Sequence, residues 1–215
     1  MSFTKKALAA SLLCACALPA FAYDTNDIIF RGGAIQVRPD VDTGCTCNPL
    51  TGLDVDTDTQ IGLTLTWMLH PQIGVEVIAA TPFQNNITLD GTKVGSTRVL
   101  PPTLLLEWYP AGNHSKWVQP YVGVGVNYTT FFHETTNGGP LNGTNLHLSD
   151  SVGVAVKVGV DVNIGSDLLV NASVMKVKMS TDVNIASAAT GAQIVHQDGV
   201  DLDPYAIMIG IGKKF

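Results

Sequence analysis

Residues 152–162 read VGVAVKVGVDV: Val152, Val154, Val156, Val158, Val160 and Val162 stand at every second position, with Gly153, Ala155, Lys157, Gly159 and Asp161 between them. A period of two describes a β-strand with one wholly apolar, β-branched face and one small or charged face. Two environments accept such a face, the core of a soluble sandwich and the hydrocarbon of a membrane crossed by a barrel. The rest of the chain decides between them, and function turns on the choice.

Alternation of the same kind predicts strands at Ile28 to Val37, Ile61 to Leu69, Ile73 to Thr81, Val99 to Tyr109, Pro120 to Phe131, Val152 to Asn163, Leu168 to Lys178 and Pro204 to Phe215. Most are near the roughly 9 to 11 residues that cross a bilayer at a tilt. The links at His70 to Gln72, Ala111 to Val118 and Gly165 to Asp167 are short, whereas those at Arg38 to Gln60, Pro82 to Thr97, Phe132 to Ser151 and Met179 to Asp203 are long. Short and long links alternate strictly, as in an outer-membrane barrel with tight periplasmic turns and long outer loops. An eight-stranded antiparallel transmembrane β-barrel is therefore expected, with both termini in the periplasm.

The two faces agree with this. One carries Ile61, Leu63, Leu65 and Trp67, then Val75 and Val77, then Leu104, Leu106 and Trp108, then Val122, Val124 and Val126. The other carries Gly62, Thr64, Thr66, Gly123, Gly125, Asn127, Gly153 and Gly159. Small residues suit the crowded inside of an eight-stranded barrel, whereas a solvated sheet face would show more Lys, Glu and Arg. Trp67, Trp108, Trp117, Tyr109 and Tyr121 fall near the predicted periplasmic ends, where an interfacial aromatic belt is expected.

The compartment is read from the first residues. Lys5 and Lys6, the apolar run Ala7 to Leu18 and the sequence Ala20-Phe21-Ala22 describe a secretory signal peptide over residues 1–22, followed by one barrel domain over 23–215. Its removal leaves ten Lys and Arg against 18 Asp and Glu, a net charge of −8. An acidic chain without a basic run argues against nucleic acid as a partner. In an oxidising compartment a disulfide between Cys45 and Cys47 is allowed but closes a tight ring, and too few further ligands stand nearby for a metal site. No cofactor is expected. The histidines sit in predicted turns and loops rather than beside an inward Ser and acid, so no catalytic constellation emerges and an enzyme is not expected.

At the C-terminus Tyr205, Ile207, Ile209 and Ile211 alternate up to Phe215, which resembles the terminal signal read by the barrel-assembly machinery. Lys213 stands where that signal more often has an apolar residue; a lysine there can snorkel to the headgroups. The stretches Arg31 to Pro39 (RGGAIQVRP), Ile73 to Phe83 (IGVEVIAATPF), Leu100 to Leu104 (LPPTL), Pro120 to Phe132 (PYVGVGVNYTTFF) and Leu202-Asp203-Pro204 resemble the OmpW family of small outer-membrane proteins, which includes the AlkL-type hydrocarbon-uptake proteins. The resemblance implies a narrow, largely apolar channel for small hydrophobic molecules. The chain departs from the family pattern at Val152 and around Met175 to Lys178, where aromatic residues are common.

Strand direction lets depth be read from sequence. Ile78, Ala80, Leu105, Ala155 and Met175 are predicted to point inward in the outer half, as an apolar substrate path. Glu76, Glu107 and Asp161, with Lys157 nearer the middle, are predicted to form a charged floor. Either an apolar solute is stopped there, because the charges hold water and pair with one another, or the charges simply pair to fill the barrel. Pro101 and Pro102 in the fourth strand and Pro82 at the end of the third cannot complete a ladder, which makes them either a lateral opening into the membrane or a stretch above the membrane where pairing stops anyway. The competing reading is a structural, adhesive or receptor barrel that acts through its polar, acidic outer loops without transport.

Overall fold

The computed structural model describes residues 23–40, 53–89, 91–115, 117–136 and 142–215. The signal-like segment and both Cys45 and Cys47 lie outside these residues. In chain order the strands are β1 (Ile28–Arg38), β2 (Leu53–Val55), β3 (Asp58–His70), β4 (Ile73–Ala80), β5 (Phe83–Leu89), β6 (Thr92–Leu100), β7 (Thr103–Trp108), β8 (Val118–Thr136), β9 (Thr144–Leu148), β10 (Ser151–Gly165), β11 (Leu168–Lys178), β12 (Ser180–Ser187), β13 (Gln193–Asp201) and β14 (Tyr205–Lys214).

The strands β1, β3, β4, β7, β8, β10, β11 and β14 form a closed antiparallel barrel of eight. The β1–β14 ladder, from Ile29↔Lys214 to Arg38↔Tyr205, joins first strand to last, and the β8–β10 ladder completes the ring. Closure leaves no barrel edge with unpaired backbone, the condition for sheet to stand in hydrocarbon. Among the described residues no helix is long and apolar enough to cross a membrane.

The valine run lies on the outside. Val152, Val154, Val156 and Val158 are all more than half exposed, as are Ile61, Leu104, Val124, Ile209 and Ile211 around the ring. A continuous apolar belt of this extent is stable only against lipid. Trp67, Trp108 and Trp117 are exposed near the end where β1 begins and β14 finishes, as an interfacial belt would have them. Tyr109 and Tyr121 are corrected: both are buried inside the barrel. Alternation explains why, since each adjoins an outward residue, Trp108 and Val122.

At the opposite end the long connections are not irregular loops. The strand expected from Val99 to Tyr109 is two, β6 and β7, parted at Pro101 and Pro102, whose nitrogens have no hydrogen to donate. The β5–β6 hairpin continues the wall above β4 and β7 and pairs with the far part of β8, from Leu100↔Thr130 to Gly95↔Thr136. β9, β12 and β13 form a separate three-stranded sheet over the same end. Inward positions there are mixed, with Phe83, Ile87, Val183 and Ile185 beside Asn85 and Thr97, while the outer face turns polar with Gln84, Asn86, Asn145 and Asn184. That change of face marks where the apolar belt ends.

Candidate functional site

Ladder register stacks the barrel's contents in layers. Glu107, Gly123 and Lys157 lie in one row across β7, β8 and β10; Leu105, Gly125 and Ala155 form the next row toward the long-hairpin end, and Thr103, Asn127 and Gly153 the one after. Glycine takes the middle place because the neighbours' side chains and backbone fill the space. A Cβ on Gly125 would stand 1.9 Å from the Leu104 carbonyl oxygen, and one on Gly159 would stand 2.4 Å from the Tyr121 ring.

The lower layer is a charged plug. Arg31, on β1 and wholly buried, holds Asp161 through Nε at 2.9 Å and Nη2 at 2.5 Å, donates from Nη1 to Thr66 at 2.7 Å and Glu76 at 3.3 Å, and from Nη2 to the Tyr109 hydroxyl at 3.1 Å. Lys157 donates to Glu76 and, at 3.3 Å, to Glu107. Tyr109 donates to Glu107 at 2.6 Å, and Tyr23 donates to Asp161 at 2.6 Å. Asn171 adds donors to Asp161 and to the Tyr121 hydroxyl, both at 2.8 Å. Tyr23, Tyr109 and Tyr121 stack beside these charges, with Lys157 5.0 Å above the Tyr121 ring. Seven barrel strands therefore meet in one network, and its charges are partnered in a place where bare charge would be costly.

Glu76, Glu107, Lys157 and Asp161 thus come together, with Lys157 in the same ladder row as Glu107. Sequence reasoning missed Arg31, the centre of the network, together with Thr66, Tyr23 and Asn171. The signal was present: Arg31 shares the parity of buried Ile29 and Ile35 on β1. A lone cation on the inner face of an otherwise apolar strand needs a carboxylate opposite.

Above the plug the contents turn apolar. Ile78, Leu105, Ala155 and Met175 are buried in one cluster with Ile35 and Met208, and Ala80 packs half-buried against it. Beyond this layer opens a cavity of about 110 Å³, lined among others by Phe83, Val99, Pro101, Met175, Val177 and Ala206. Its walls are mostly apolar, with Asn85, Thr97, Asn127 and Thr129 among them.

The wall beside the cavity is interrupted. The β4–β7 ladder ends at Ile78↔Thr103 and the β5–β6 ladder begins at Phe83↔Val99, so Ala79 to Pro82 and Leu100 to Pro102 are not laddered to each other. Each side bonds elsewhere: Thr81 N–H donates to the Ile61 carbonyl at 3.0 Å, and the Pro102 carbonyl accepts from Tyr128 N–H at 3.0 Å. Pro82, Pro101 and Pro102 all fall in this interval. Tyr205, Ile209, Ile211 and Phe215 stand exposed along β14 and the chain end, with Ile207 half-buried among them.

A closed ring of eight antiparallel strands, apolar outside and packed with a polar network inside, defines a small integral barrel of the outer membrane. The chain belongs to the OmpW family, whose family model matches residues 24–215. Outer membrane protein W of Salmonella typhimurium is 41% identical over 216 residues, covering 99% of each chain. The crystal structure of the outer membrane protein OprG from Pseudomonas aeruginosa shares the fold with a TM-score of 0.78 and 37% identity, over 90% of this chain and 98% of that one. The solution structure of the Escherichia coli outer membrane protein W has a TM-score of 0.63 and 42% identity, over 90% of this chain and all of that one, 100%.

Proposed function

We propose that the barrel takes up small hydrophobic molecules at its long-hairpin end and releases them sideways into the membrane, with both termini in the periplasm. The observation that carries this reading is the apolar cavity, set above a charged plug and beside an unladdered interval of wall. Ile78, Ala80, Leu105, Ala155 and Met175 are its apolar path, and Pro82, Pro101 and Pro102 its lateral opening.

Magnitudes favour the sideways route. Passage through the plug would part Arg31 from Asp161 and Lys157 from its glutamates, at about 3–5 kcal/mol for each buried pair broken. Passage between Ala79 to Pro82 and Leu100 to Pro102 breaks no ladder hydrogen bond across that seam. A solute that burial in the cavity favours by ~25 cal/mol per Å² gains comparably on entering hydrocarbon, so the exit step is nearly level. The alternating Tyr205 to Phe215 segment is, on the same reading, the surface offered to the barrel-assembly machinery.

Replacing Pro101 and Pro102 with threonine restores donors that could extend the ladder. Uptake of an apolar substrate by cells carrying this variant should fall several-fold while uptake of a small charged solute stays at background. Unchanged apolar uptake in a correctly folded variant would remove the lateral exit. If deleting the protein altogether left apolar uptake unaltered, the adhesive reading would replace transport.

A further inference from the structure

Beyond the lumen, the basic residues of this acidic chain are unevenly placed. Arg31 and Lys157 are buried in the plug, Lys213 and Lys214 lie near the terminal end, and Lys93 and Arg98 lie on the β5–β6 hairpin. Arg38, Lys176 and Lys178 gather on one outward patch at the long-hairpin end, across β1, β14 and β11. Register aligns them: Arg38 pairs with Tyr205, and Tyr205 pairs on its other side with Lys176. The three side chains form a row on the outer wall, with Lys178 one outward position further along β11.

All three positions face away from the lumen. Arg38 shares the parity of exposed Phe30 and Ala34, and Lys176 and Lys178 share that of exposed Val170 and Val174, whereas Met175 and Val177 between them are buried. Their height is set by the strand. β11 runs 11 residues from Leu168 to Lys178, and at ~3.3 Å per residue and a tilt of ~40° it rises about 25 Å, the height of a barrel's apolar band. The cations therefore stand where hydrocarbon gives way to headgroups.

The row is also ordered. The Lys176 ammonium lies 3.8 Å from the centre of the Tyr205 ring, a cation–π contact that holds it against the wall. Arg38 uses Nε on Gln36 at 2.9 Å, one of the five N–H donors that a guanidinium presents. Two acids stand close by: Asp40, whose carboxylate is 3.7 Å from Lys176 and largely exposed, and Asp203, which accepts from Met179 N–H at 3.1 Å.

We infer that Arg38, Tyr205, Lys176 and Lys178 form a binding site for the phosphate of a phosphorylated glycolipid in the outer leaflet, with the acyl chains lying along the valines and isoleucines below. A guanidinium fork matches phosphate geometry, an ammonium adds charge beside it, and the tyrosine hydroxyl supplies a further donor. The apolar wall below the row, Ile207 and Ile209 on β14 with Val174 on β11, is in register with it. Phosphate and acyl chain are thus met by one continuous surface. The inference rests on the proposed orientation for the leaflet, while the phosphate chemistry does not depend on it.

The test uses the full folded barrel in neutral detergent micelles, titrated with diphosphoryl lipid A, chemically dephosphorylated lipid A, phosphatidylglycerol or inorganic phosphate, binding being read by the rise in thermal midpoint and by native mass spectrometry. Diphosphoryl lipid A should bind at least tenfold more tightly than its dephosphorylated form. The variant R38Q/K176Q/K178Q should lose at least tenfold of that affinity, and Asp40→Asn should bind the lipid more tightly than the parent. The control Lys93→Gln should bind as the parent does. Heat-modifiable gel mobility verifies folding of each variant, and none of these outward side chains enters the core. Equal binding by the triple variant, equal binding of the dephosphorylated lipid, or equal loss in Lys93→Gln would overturn the site. Phosphatidylglycerol binding as tightly as lipid A would overturn the glycolipid as its occupant, and competition by inorganic phosphate at equal concentration would overturn a lipid requirement.

Discussion

Replacing Arg31 with methionine should destabilise the barrel by about 3–5 kcal/mol, the usual cost of removing one partner from a buried ion pair. Arg31 is wholly buried and serves Asp161, Thr66, Glu76 and the Tyr109 hydroxyl. Without it the plug holds Asp161, Glu76 and Glu107 against Lys157, and Asp161 retains Tyr23 and Asn171 as donors among the described residues. Equilibrium unfolding in urea, from vesicles, should show the midpoint falling with little change in slope. The double variant R31M/D161L, which removes both partners, should recover more than half of the loss, because Asp161 is no longer stranded and Glu76 and Glu107 keep Lys157. A loss below about 1 kcal/mol for Arg31→Met would mean that water already reaches the plug. The same variant should raise ion conductance across a planar bilayer, since the plug is what fills the bore at that level.

Val158→Arg is the second large effect, and its partner in the comparison is Val152→Arg. Val158 lies near the middle of β10, which spans Ser151–Gly165, and Val152 lies at its long-hairpin end. Both side chains are exposed and touch neither plug nor cavity. Arginine at the bilayer midplane costs a barrel about 2–4 kcal/mol and near the interface about 0–1. Unfolding from vesicles should therefore separate the two variants by about 2 kcal/mol or more, with Val158→Arg the less stable. In detergent, where headgroups reach any point of the belt, the gap should shrink. Equal costs in vesicles would place β10 at the wrong depth.

Much of this molecule could be read before its structure. The class followed from two independent patterns, the period of two and the strict alternation of short and long links, and neither needs a partner strand to be known. Parity also put Glu76, Glu107, Lys157 and Asp161 on the inner face, where the structure has them. What parity cannot supply is the rotation of one strand against another. Arg31 and Asp161 are 130 residues apart in sequence, and their meeting depends on the stagger accumulated around the ring. Tyr109 and Tyr121 were misplaced for a different reason: their aromatic character was weighed over the faces that their neighbours Trp108 and Val122 dictate. The β5–β6 hairpin and the β9–β12–β13 sheet escaped because their outward residues are polar and their inward ones mixed, which weakens the alternation on which strands were recognised.

The plug has a consequence for how the barrel is made. Its members come from β1, β3, β4, β7, β8, β10 and β11, and the ring that brings them together closes only when β14, the last strand, reaches β1. Without that seam Arg31 and Asp161 stand on strands at opposite sides of an open sheet, and their side of the plug faces water. A half-inserted sheet cannot carry those charges into the hydrocarbon at low cost, so there is no comfortable resting point partway. Closing the seam, expelling water and pairing Arg31 with Asp161 are thereby tied together, so the network that fills the barrel also favours insertion in a single step.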